Sequence, residues 1–215
     1  MIKDNLNKMN KNFKNHKKEK LNIPPLKTIR EILSDLKFLK YSTRKRNLAY
    51  QIQYQDFLLK LLESYYIYGS LKNILFRQYV VTVTNIVEYL LFVSLHQIYG
   101  KAPKTHKIPR LIGQARSKKI ISRELGRDLN KINDLRNRIH PSKQKNHLDI
   151  NSFNKNEVQS CSNILDKLIE EVRDFFVSKK IKVNSKLPRC PYEDYHILYF
   201  LDNERCPYCG KYGYE

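Results

Sequence analysis

The chain is 215 residues long, 41% hydrophobic and 29% charged, with a formal net charge of +20 at neutral pH. That length admits one domain of ordinary size plus a small appendage, and the charge excess favours polyanions as partners. Four cysteines in a chain of this size do not form the disulfide framework of a small secreted scaffold and point to a reducing, cytoplasmic compartment.

Residues 1–20, MIKDNLNKMNKNFKNHKKEK, carry seven lysines against Asp4 and Glu19, a local net of +5. Such a segment buries nothing and reads as a disordered basic arm, with no apolar region or cleavage site of a secretory signal. NIPPL at 22–26 is a stiff break, so 1–26 form arm and linker. Lys27–Lys40 then spaces Ile29, Ile32, Leu33, Leu36 and Leu39 for a short amphipathic helix. Arg46–Tyr68 predicts a first long helix, interrupted by Gly69 and Ser70, and Leu71–Tyr99 a second. The β-branched VVTVT (80–84) favours a strand locally, but the apolar stretch is far longer than a typical strand. Tyr79–Tyr99 has the length of a membrane span. Asn85 and Glu88 sit at its middle, however, which predicts a buried core helix and no membrane contact.

Gly100, Pro103 and Pro109 mark 100–110 as a loop. A third helix over Ser117–Ile139 follows, with Ile121, Leu125, Leu129, Ile132, Leu135 and Ile139 in one stripe. Pro141 and the polar run to Asn151 end it. Asn154 with Glu157 three residues later fits a capping box for a fourth helix, whose apolar face is Val158, Cys161, Leu165, Leu168, Val172 and Phe175. The architecture predicted is all-α, a helical bundle over 27–180 with a small cysteine-containing tail over 181–215. The one strand-like run is Tyr195–Leu201.

The positive charge is concentrated. Lys101–Lys145 holds fourteen Lys and Arg against Glu124, Asp128 and Asp134, a local net of +11. Arg116, Lys118, Lys119, Arg123, Arg127, Lys131, Arg138 and Lys143 are therefore the candidate side chains for contacting a polyanion such as RNA. Within this region lies LRNRIHPS (135–142). Arg136 and His140 are four apart, on one helical face. Cations at a helix C-terminus followed by proline also serve as plain end-capping. Yet a guanidinium beside an imidazole suits phosphate binding and proton transfer better than stability, because the two repel once the histidine is protonated.

The Glu-bearing apolar helix NIVEYLLF (85–92), followed by a helix ending in Arg136-Asn137 with His140 beyond, resembles the HEPN superfamily of helical-bundle domains, over about residues 45–178. Many members are metal-independent ribonucleases of toxin–antitoxin and phage-defence systems. The resemblance implies Arg136, Asn137 and His140 as catalytic residues and a homodimer with a composite site. It also implies a nucleotidyltransferase or an antitoxin as a further partner. Three residues separate Arg136 from His140, one fewer than the usual active spacing. The alternative is accordingly a non-catalytic HEPN-like domain that binds RNA or nucleotide, or partners a nucleotidyltransferase or another defence protein. Glu88 lies either on an exposed helix edge or buried against a cation; if buried, Arg136 is the partner expected and Glu88 an orienting residue.

The tail reads RCPYEDYHILYFLDNERCPYCGKYGYE. CPYCG at 206–210 is a zinc-knuckle pattern, and RCPY recurs at 189–192 without its second cysteine. Cys190, Cys206 and Cys209 give three ligands for a structural zinc ion, with His196, Glu193 or Asp194 to complete four. The competing reading is a decayed knuckle with free thiols. Cys161 reads as core.

Overall fold

The computed structural model describes residues 23–40, 43–138, 153–181 and Tyr208. Among these the chain is all-helical, with no strand. In order, the helices are α1 (Ile29–Asp35), α2 (Thr43–Ser64), α3 (Gly69–Tyr99), α4 (Ile108–Ser117), α5 (Arg123–Asn137) and α6 (Lys155–Ser178). The basic arm of residues 1–20, the polar run after the third predicted helix and the strand-like Tyr195–Leu201 lie outside the described residues.

The axis of the bundle is α3. It is apolar around most of its circumference, and α2, α4, α5 and α6 all pack against it. By length and composition this helix resembles a membrane span, but 72% of its most apolar window is buried inside the bundle. VVTVT is helical, as its length predicts. The hydroxyls of Thr82, Thr84 and Ser94 donate to the carbonyls of Gln78, Val80 and Leu90 at 2.8, 2.7 and 2.7 Å. Each buried hydroxyl is thereby satisfied within its own helix, which removes the cost of placing it in the core.

Local chemistry sets the other boundaries. Thr28 opens α1 with a capping box: its Oγ1 accepts from the Glu31 amide at 3.2 Å, and its own amide donates to the Glu31 carboxylate at 2.7 Å. This helix ends at Asp35, short of the predicted Lys40. Beyond it Leu36, Phe38 and Leu39 still reach the core through a turn, and Gln97 of α3 holds that turn by accepting from the Lys40 amide and donating to the Phe38 carbonyl. The first long helix begins at Thr43 rather than Arg46 and ends at Ser64, so the break falls at residues 65–68, just before the residues expected to interrupt it. Gly69 opens α3 at φ +64°, and Gly100 closes it at φ +67°, the left-handed conformation that suits glycine at a helix end.

The largest departure from the sequence reading concerns the third predicted helix. That helix starts at Arg123 rather than Ser117, and a separate helix, α4 (Ile108–Ser117), precedes it, beginning inside the expected loop. Pro109, expected to mark a loop, stands in the first turn of α4, where its missing N–H costs nothing and its fixed φ favours helix. The chain then turns through residues 118–122, with Lys119 left-handed at φ +58°, while Ile120 and Ile121 remain buried. Ser122 caps α5 by accepting from the Leu125 amide at 3.0 Å. The capping box predicted for the last helix is present, closed by Asn154 and Glu157. Its core face includes Ile164 and Phe176, and Phe175 is only half-buried. The thiol of Cys161 is fully buried there, which pushes its pKa up to about 12 and leaves it a core side chain.

Lys45 is the unexpected core member. It is 1% exposed, its ammonium donates to the Leu39 carbonyl at 3.1 Å, and burial lowers its pKa from 10.5 to about 8. Below pH 8 the ammonium is charged in both folded and unfolded chains, and the full desolvation penalty is present. Between pH 8 and 10.5 the folded chain sheds the proton first, so this position becomes less destabilising as pH rises. The unfolding free energy of the wild type should therefore gain on that of Lys45→Met across that interval in paired denaturant titrations. A difference independent of pH would show that the ammonium is not desolvated.

Candidate functional site

The third amphipathic stripe is anchored from below. Leu125, Leu129 and Ile132 are buried, and Glu171 of α6 accepts from both the Ser122 amide, at 2.6 Å, and the Ser122 hydroxyl, at 2.8 Å. The opposite side of α5 is solvent-exposed at Arg123, Arg127, Lys131, Asp134 and, just past its end, Arg138. Positions four apart share a face, so these side chains form one predominantly cationic row.

Arg116, Lys118 and Lys119 extend the row from the end of α4 and the turn, and all three are exposed. Among the described residues, Arg116, Lys118, Lys119, Arg123 and Arg127 have no carboxylate within ion-pair distance, whereas Lys131 pairs with Asp128 at 2.7 Å. Lys118 lies 5.1 Å from the ring centroid of Tyr99. Arg116 crosses α5 at Gly126, where an added Cβ would meet its Cδ at 2.5 Å. Glycine at that position lets a cation from α4 lie on the surface of α5.

The helix delivers Arg136 and Asn137 in its last turn, both half-buried. Arg138 follows, its Nη1 3.0 Å from Oε1 of Glu157. Glu157 also accepts from the Asn154 amide to close the α6 cap, so one carboxylate joins the end of α5 to the start of α6. A polar cleft of about 450 Å³ runs between these two helices, lined by Asp128, Lys131, Asn156, Gln159, Asn163 and Lys167 among others. His140 and Lys143 lie outside the described residues, as do Cys190, His196, Cys206 and Cys209. Among the described residues no group of three or more His, Cys, Asp or Glu side chains is arranged to hold a metal ion.

One residue inside CPYCG is described. Tyr208 is 2% exposed and belongs to the core, and its carbonyl accepts from the Arg30 amide at 2.7 Å. Tyr208, the middle residue of CPYCG, is thus held to the first turn of α1.

Glu88 is half-buried, and its partner is a histidine: Oε1 lies 3.7 Å from Nδ1 of His106. Among the described residues no ion pair joins Glu88 to Arg136. The His106 ring stacks on Phe92 at 4.5 Å and 8°, and the Arg44 guanidinium lies 4.4 Å from the same ring centroid. Arg44, Glu88, Phe92 and His106 together tie the start of α2 and the connection before α4 to the central helix. No spacing rule links residues so far apart, and sequence reasoning missed the group for that reason.

Compared with protein-family models, curated proteins and solved structures, the chain finds no match.

The double use of Glu157 has a measurable consequence. Glu157→Ala removes both a cap acceptor and the Arg138 partner, whereas Arg138→Ala leaves the cap intact. Urea titration should show a larger loss for the former, about 1 kcal/mol for the cap bond alone, than for the latter, an exposed pair worth less than about 1 kcal/mol. Equal losses would place the value of this contact in the ion pair rather than the cap.

Proposed function

We propose that this protein is a cytoplasmic HEPN-like RNA-binding protein and a metal-independent endoribonuclease of the toxin or phage-defence type. The observation that carries the reading is the run of exposed cations Arg116, Lys118, Lys119, Arg123 and Arg127, without carboxylate partners among the described residues, leading to Arg136 and Asn137 in the final turn of α5. A site that binds phosphate without a metal needs fixed cations at its edge and a proton-transfer group beside them.

The chemistry follows from RNA itself. The 2′-hydroxyl loses its proton to one histidine and its oxygen attacks the adjacent phosphorus. The bond to the 5′-oxygen then breaks, and that oxygen takes a proton from a second acid. The products are a 2′,3′-cyclic phosphate and a free 5′-hydroxyl. His140 is the proton-transfer group, since its ordinary pKa lies near working pH. Arg136 holds the phosphate by a forked contact and offsets the charge that builds there, and Asn137 orients the reacting groups. A homodimer supplies the second histidine.

The shorter Arg136-to-His140 interval favours one other reading, a HEPN-like domain that binds RNA or nucleotide without cutting, alone or with a nucleotidyltransferase or antitoxin. Incubation with defined RNA under brief chelation separates the two. Wild type should yield cyclic-phosphate ends, His140→Ala should lose on the order of a hundred- to ten-thousand-fold in rate, and Arg136→Ala should lose both rate and affinity. Retained binding with no cleavage by any form selects the non-catalytic reading. Equal cleavage by wild type and His140→Ala rejects the assigned site.

For the tail we propose one structural zinc ion on Cys190, Cys206, Cys209 and His196. The burial of Tyr208 supports it, because a knuckle held against α1 at its central residue has a fixed base on which to close. Metal analysis of the purified protein should find one zinc per chain. Absence of zinc with all three thiols titratable removes the assignment.

A further inference from the structure

We propose that the face formed by α4, its turn and α5 binds base-paired nucleic acid, so that the ligand is a helical stem rather than an extended strand; this rests on the RNA-binding reading above. The composition of the face is the first reason. From Ile108 to Arg138 there is no aromatic residue, in a chain with fifteen tyrosines and nine phenylalanines. Proteins that hold unpaired strands stack the bases on aromatic rings. Among the described residues the strongly exposed tyrosines lie elsewhere, at Tyr66 and Tyr68 in the link before α3, and Tyr99 at the border of the face is approached by Lys118. What the face offers instead is guanidinium and ammonium groups, and these suit the phosphates and sugar hydroxyls that a stem presents, its bases already being stacked on one another.

Geometry is the second reason. Arg123, Arg127 and Lys131 follow a straight line one helical turn apart, with steps of about 6 Å. A base-paired stem holds its phosphates at fixed positions along a regular backbone, so a rigid row of cations can meet several of them at once. An unpaired strand has to be straightened to make the same contacts, at an entropic cost in each nucleotide. The row is well fixed to receive a stiff ligand: its apolar side is buried, Glu171 holds its first turn and Glu157 the residue beyond its last. Arg116 adds a further cation by lying across Gly126.

The test uses the full chain, with binding followed by fluorescence anisotropy at fixed low salt. The probes are an RNA hairpin, an unpaired oligouridine with the same number of phosphates, and a DNA duplex of equal length. We expect the hairpin to bind at least about tenfold more tightly than oligouridine. Arg123→Ala with Arg127→Ala should erase that preference. Gly126→Ala, which leaves the net charge unchanged but displaces Arg116, should weaken hairpin binding several-fold without lowering the melting temperature. Equal affinity for hairpin and oligouridine overturns the duplex inference and leaves RNA binding standing. A DNA duplex bound as tightly as the hairpin supports duplex recognition and overturns the restriction to RNA. Failure to bind any probe overturns both.

Discussion

Burial of the single apolar helix Gly69–Tyr99 is the constraint on which this fold depends. A helix with apolar side chains on nearly every side needs neighbours all round, and four of the other five supply them. The polar groups on α3 are accommodated in ways that preserve this arrangement. Hydroxyls close onto carbonyls of their own helix, Gln97 secures the turn after α1, and Glu88 reaches His106 at the surface. The outer helices thus keep one apolar side for α3 and leave the other free for charge. The row on α5 follows from that division, since a side committed to the core cannot hold lysines and arginines.

Most of the bundle was legible from apolar spacing because the core helices bury side chains at the three- and four-residue steps that periodicity detects. The Asn154 and Glu157 capping box was legible because it is a local chemical pairing. The turn between α4 and α5 was hidden for an equally physical reason. It contains neither glycine nor proline, Lys119 takes the left-handed conformation without either marker, and buried Ile120 and Ile121 continue the apolar signal through the turn. Pro109 misled in the opposite sense, since proline is as suited to starting a helix as to breaking a chain.

The candidate site was legible in part. The exposure of Arg116, Lys118, Lys119, Arg123, Arg127 and Lys131 and the position of Arg136 and Asn137 at a helix end follow from the stripe on their opposite side. The partner of Glu88 did not follow, because it comes from a connection with no periodicity. The burial of Lys45 was equally invisible: a lysine between Arg44 and Arg46 reads as solvated, yet its ammonium reaches the carbonyl of Leu39 inside the core.

Tyr208 carries an implication for how the molecule is made. Its contact with Arg30 joins two positions far apart in the sequence, and closing so long a loop adds an entropic cost before any contact energy is recovered. During synthesis α1 leaves the ribosome long before Tyr208, so the position that Tyr208 fills stays open until that residue emerges. A chain cut short before Tyr208 therefore leaves this core position beside α1 unfilled, its apolar neighbours open to water.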